Sequence, residues 1–166
     1  ETHFKIQYKT TINAPREKVW EALTNPAIDN NIFSAELVTD WKAGNPIIFQ
    51  GEWEGQKYKD KGEVLEYEHN KKLSYSYLSN WSGKEDLPEN YLWVSYEVKS
   101  DGENTELTIH QSNYNEELTK HSEENWASLV AEMRKIIEKK RSVNIAKIPP
   151  PIRCQVYSLT PSNVLI

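Results

Sequence analysis

The feature that most limits how this chain can fold is one long amphipathic helix near its C-terminal end. From about Ser122 to Lys140, Trp126, Leu129, Val130, Met133, Ile136 and Ile137 recur at helical spacing. The opposite face carries Glu123, Glu124, Glu132, Arg134, Lys135 and Glu138. Acids come early and lysines late, the direction the helix dipole favours. About 19 residues at 1.5 Å each give ~28 Å, enough to cross a whole sheet. One apolar stripe cannot bury itself, so the rest of the chain must supply a broad apolar surface.

The preceding residues read as that surface. Residues 3–12 alternate Phe4, Ile6 and Tyr8 with Lys5, Gln7 and Lys9, the period of a half-buried strand. Asn13-Ala14-Pro15 then opens a helix over about 15–24, with Asn13 as candidate N-cap and Val19, Trp20 and Leu23 on one side. Asn25-Pro26 closes it, and residues 27–34 read as a second short helix or turn. Strands follow at 35–41, 46–54, 56–68, 71–79, 91–100 and 104–113, separated by turn residues such as Glu54-Gly55, His69-Asn70 and Asp101-Gly102. Short separators imply antiparallel neighbours. The connection 80–90 is longer and polar but contains Trp81 and Leu87, so it is placed to lie over an opening.

This order predicts an α+β fold: a seven-stranded curved antiparallel sheet, two short helices after the first strand, and the long C-terminal helix on the concave face. Residues 1–140 make one domain. Residues 141–166, with prolines at 149–151, are expected to be a peripheral or disordered tail.

Composition removes several function classes. The formal charge of −5 lacks the basic footprint that nucleic-acid binding needs. Three basic residues and no acid lie in 141–166, which leaves −8 on the first 140 residues. Cys154 is the only cysteine, which rules out an intrachain disulfide and a multi-cysteine zinc site and points to a cytoplasmic setting. No apolar run reaches the ~18–20 residues of a membrane span, and the first residues show no export signal.

Four segments in order carry a resemblance: TTINAPREKVWEALTNP, GEVLEYEHNKKLSYSY, DGENTELTIHQSN and the Trp126-bearing helix. Together they resemble the helix-grip superfamily (SRPBCC), which includes START-type lipid carriers and plant Bet v 1-like proteins. Within it the chain is most similar to the bacterial family named for the C-terminal domain of the Hsp90 ATPase activator. The similarity spans about residues 3–140. It implies a helix-grip fold and a hydrophobic ligand, lipid, polyketide or flavonoid-like, held between the sheet and the last helix. It also brings in a chaperone as a possible partner. The co-chaperone that names the group relies on a separate N-terminal domain, however, which these residues do not contain.

Strand parity places the candidate ligand contacts. Phe49, Trp53, Tyr58, Tyr75, Tyr77, Val94, Tyr96, Leu107 and Ile109 share the inward face, opposite Trp126, Val130 and Met133. A Tyr- and Trp-rich wall supplies apolar area with a few polar handles, as pockets for small molecules require. The alternative is that the same side chains meet in a filled core. Catalytic and metal motifs are absent, and no cofactor is expected. His110 shares parity with Thr108 and Ser112 on the outer face. Glu52, Glu54 and Asp60 read most simply as surface charge, although an acid beside an apolar pocket can acquire a raised pKa. A protein-interaction module and a cyclase- or hydrolase-type enzyme are the alternatives to ligand binding.

Overall fold

The computed structural model describes residues 4–26, 28 and 35–138. The strands are β1 (Phe4–Ile12), β2 (Glu36–Val38), β3 (Pro46–Trp53), β4 (Gln56–Glu68), β5 (Lys72–Tyr77), β6 (Leu92–Asp101) and β7 (Asn104–Asn113). Two α-helices accompany them, α1 (Arg16–Thr24) and α2 (Glu116–Ile137). The strands form one seven-stranded sheet in the order β1-β7-β6-β5-β4-β3-β2. Every pairing is antiparallel, so β2 to β7 make a meander and β1 joins its far end. The expected α+β helix-grip architecture is therefore present. The expected second short helix at 27–34 and the tail 141–166 lie outside the described residues, apart from Ile28.

α2 runs over β1 and β7 and touches α1. Its buried apolar stripe is Trp126, Leu129, Val130, Met133 and Ile137, with Ile136 half-buried, close to the sequence expectation. Glu132, expected on the opposite polar face, is buried as well and accepts from Lys135 Nζ at 3.0 Å. The start of α2 also departs from the expectation: the helix begins at Glu116, not near Ser122. The Asn115 side chain accepts from the Leu118 N–H at 2.9 Å, and Glu116 and Glu117 occupy the first turn. Cap and dipole, not an apolar stripe, extend the helix. Asn115→Ala should accordingly cost about 1 kcal/mol in urea denaturation.

At α1 the expected cap is also displaced. Pro15 occupies the N-cap position, with no side-chain capping bond. Its carbonyl accepts from Lys18 and Val19, while the Asn13 N–H donates to Glu138 Oε1 at 2.9 Å, tying β1's exit to the end of α2. The strand expected over 35–41 stops at Val38 because Thr39 Oγ1 and Asp40 Oδ1 accept from the N–H groups of Trp41 and Lys42. Side chains thus take the donors that a strand would pair. Trp41 then stacks on Tyr67 at 5.8 Å and donates through Nε1 to the Thr24 carbonyl, closing α1 against β4.

β4 carries a register shift between Val64 and Glu66. Before it, Tyr58, Asp60 and Val64 point inward; after it, Tyr67 is the half-buried residue and Leu65 is exposed. The bulge re-aims the end of β4 so that Tyr67 meets Trp20 at 5.6 Å.

Candidate ligand-binding site

Of the residues expected to line a ligand, Phe49, Tyr58, Tyr75, Tyr77, Val94, Tyr96, Ile109, Trp126, Val130 and Met133 are buried, and Trp53 is half-buried. Strand alternation carries the strand residues among them to one side of the sheet, the side on which α2 lies with Trp126, Val130 and Met133. Their rings form a continuous seam. Phe49 packs on Tyr77 at 5.8 Å and on Tyr75 at 5.7 Å. Tyr75 meets Tyr96 edge-on at 5.8 Å, and Tyr96 meets Trp126 edge-on at 5.7 Å. These are favourable quadrupole geometries. Inside the seam the Tyr75 and Tyr96 hydroxyls are hydrogen-bonded at 2.7 Å.

At the end of the sheet where β5 leaves, Trp81 sits on the connection 78–91 and packs on Tyr58 at 5.4 Å and Trp53 at 6.0 Å. The connection is anchored by an ion pair between Lys61 and Asp86 and by the Tyr91 hydroxyl donating to Asp86 at 2.6 Å. It therefore does lie over this end of the sheet. Beside Tyr58, a groove of roughly 650 Å³ is lined by Ala35, Glu36, Gln50, Gly51, Glu52 and Lys57. Gly51 admits the Tyr58 ring: a methyl group there would stand 3.0 Å from the tyrosine hydroxyl.

Asp60 departs from its reading as surface charge. Glu52 and Glu54 are exposed, but Asp60 is only 1% exposed. Its Oδ2 accepts a short hydrogen bond from the Tyr77 hydroxyl, and its Oδ1 accepts from the Asn80 N–H at 2.8 Å. Desolvation pushes its pKa up to about 6, against the opposing pull of hydrogen bonds from Tyr77, Asn80 and Ser79. The inward parity shared with Tyr58 was the signal for this position.

A second polar group was not anticipated. Gln111 and Asn113 continue the inward parity of Leu107 and Ile109, and both are fully buried beneath α2. Trp126 Nε1 donates to Gln111 Oε1 at 2.6 Å; Gln111 Nε2 and Ser122 Oγ both donate to Asn113 Oδ1 at 3.1 Å. His110 lies on the other face, as expected, stacked on Trp93 at 6.1 Å. Among the described residues no group of three or more His, Cys, Asp or Glu side chains could hold a metal ion, and no helix is long and apolar enough to cross a membrane.

A seven-stranded antiparallel sheet packed on a long C-terminal helix, with an aromatic inner wall, defines a helix-grip protein of the SRPBCC type. The family model described as Activator of Hsp90 ATPase homolog 1-like protein matches residues 13–138, and the chain belongs to that family. The solution structure of ChR145 from Cytophaga hutchinsonii is 42% identical, with a TM-score of 0.73 over 84% of this chain and 97% of its own. The solution structure of the Aha1 dimer from Colwellia psychrerythraea shares the fold at 17% identity and TM-score 0.63, over 81% of this chain and 96% of its own. CalU16 from Micromonospora echinospora shares it at 22% identity and TM-score 0.61, over 81% and 82% respectively. No curated protein matches the chain.

Proposed function

We infer that this chain binds a small hydrophobic or aromatic molecule between the sheet and α2, without acting on it chemically. The observation that carries the reading is the seam from Phe49 through Tyr75 and Tyr96 to Trp126, with two hydroxyls bonded to each other in its middle. A wall of rings with polar handles suits a ligand that is mostly apolar with a few oriented oxygens. A hydroxyl pair can exchange its mutual bond for bonds to a ligand at little net cost.

The buried acid reads here as a structural tie: the Asp60 oxygens accept from Tyr77, Asn80 and Ser79, which holds the β4–β5 end to the following connection.

Tryptophan fluorescence tests the reading, because Trp126 stands in the seam and Trp81 at its end. Titration with a fatty acid, a flavonoid and an aromatic polyketide is expected to quench or shift the emission with at least one compound. Tyr75→Phe combined with Tyr96→Phe should weaken a hydroxyl-bearing ligand about tenfold while leaving the fold intact. Saturating concentrations of all three classes with no spectral change and no heat of binding would remove the proposal.

A further inference from the structure

The buried amide network has an unbalanced end. The indole N–H of Trp126 is a donor only, so the Gln111 atom 2.6 Å away must be Oε1. That orientation turns Gln111 Nε2 towards Asn113, which must answer with Oδ1. The Ser122 hydroxyl fits the same assignment by donating to Oδ1. Asn113 Nδ2 is left with two N–H bonds, buried and without an acceptor among the described residues. Reversing the amide would oppose nitrogen to nitrogen at Gln111, so the chain of bonds fixes this end as a donor.

A native fold rarely leaves such a donor unanswered, and each one calls for an explanation. Asn113 is the last residue of β7, paired with Phe4, on the inward parity of the seam. Its neighbour Gln111 pairs with Val94 on β6 and holds Trp126, which closes the seam. The charge around it selects further. Among the described residues the buried charged side chains are Asp60 and Glu132, and no lysine or arginine is buried. An anionic oxygen here would be desolvated without a countercharge.

We propose that Asn113, oriented by Gln111, Ser122 and Trp126, is the polar subsite for an uncharged ligand oxygen, and that the ligand class is a neutral aromatic carbonyl compound. This rests on the binding reading above and gives it a chemical preference: ketones, quinones and lactones over hydrocarbons of the same shape and over carboxylates.

A matched pair tests it. Fluorenone and fluorene share size and planarity and differ in one carbonyl oxygen. Binding to the wild-type chain by calorimetry is expected to favour fluorenone by about tenfold or more, since only it answers the buried donor. Asn113→Leu should retain fluorene and bring the two compounds within about twofold. In the 15N-labelled wild-type chain, fluorenone should shift the Asn113 side-chain amide resonances and fluorene should not, a reading that stands even if the variant fails to fold. Equal affinity for the two compounds, or an amide signal that fluorenone leaves in place, overturns the subsite while the binding reading survives. Failure of both compounds to bind overturns the proposed ligand class and its subsite, while the binding reading is decided separately by the fatty-acid, flavonoid and polyketide titrations.

Discussion

Replacing Gly62 by alanine should destabilise the protein by about 3 kcal/mol or more, at the upper end of what overpacking costs. The reason is local and steric. Gly62 lies in β4 where the strand passes β5, next to the bridge between Lys61 and Leu78. A Cβ built there would stand 1.7 Å from the Ser76 carbonyl oxygen and 2.5 Å from its carbon. Those are backbone atoms, so no rotamer change relieves the overlap; the strands themselves must separate. Separation would disturb the paired N–H and C=O groups of Lys61 and Leu78, bonded at 2.8 and 3.2 Å. It would also move Tyr77, which packs on Phe49 and bonds to Asp60. Gly102→Ala is the control. It sits in the β6–β7 turn at φ +62° with nothing within 4 Å, so alanine pays only the left-handed backbone cost of about 1 kcal/mol. Urea denaturation of the two variants separates the cases. A Gly62→Ala protein within 1 kcal/mol of the wild type would mean that the strands part easily and that the close approach is not a constraint.

The same glycine illustrates what a sequence can and cannot disclose. The segment Gly62-Glu63-Val64-Leu65-Glu66 supports the resemblance, yet alternation alone cannot explain its glycine, because the constraint comes from β5's backbone. Periodicity performs well where burial follows hydrophobicity. The inward sets on β3, β5 and β6 and the stripe on α2 follow the two- and 3.6-residue periods, and the structure buries them. It misleads where a polar residue occupies an inward position. Asp60, Gln111 and Asn113 have the parity of core residues, but a rule that sends charge and amides outward assigns them to the surface. Their burial becomes intelligible only with their partners, which come from β5, the 78–91 connection and α2, between 9 and 20 positions away. The bulge after Val64 is a further case, since the single extra residue that turns Tyr67 inward leaves no mark in an alternation of this length.

Asp60→Asn is the second substitution with a large expected effect, and its sign depends on pH. The carboxyl has a folded-state pKa of about 6 against an ordinary 3.8, raised by burial. Between pH ~4 and ~6 the folded protein holds a proton that the unfolded chain has already released. Stability therefore falls as pH rises through that window and levels off above it. A shift of about 2 pH units corresponds to about 3 kcal/mol. Asparagine at this position has no proton to lose. Its Oδ1 can still accept from the Asn80 N–H, and its Nδ2 can donate to the Tyr77 hydroxyl, which then accepts. The variant should match the wild type near pH 4.5 and exceed it by about 1–3 kcal/mol at pH 8. The exposed carboxylates of Asp40, Glu68 and Asp86 have lowered pKa values through hydrogen bonds to Lys42, Lys71 and Lys61 respectively. Their stabilisation is lost as pH falls below ~4, the opposite slope, and both proteins share it, so it cancels in the difference. Denaturation of the two proteins at half-unit steps from pH 4.5 to 8 isolates the Asp60 contribution. Parallel curves across that range would show that the carboxyl ionises in the folded state as readily as in water, and that hydrogen bonds from Tyr77, Ser79 and Asn80 fully offset its burial.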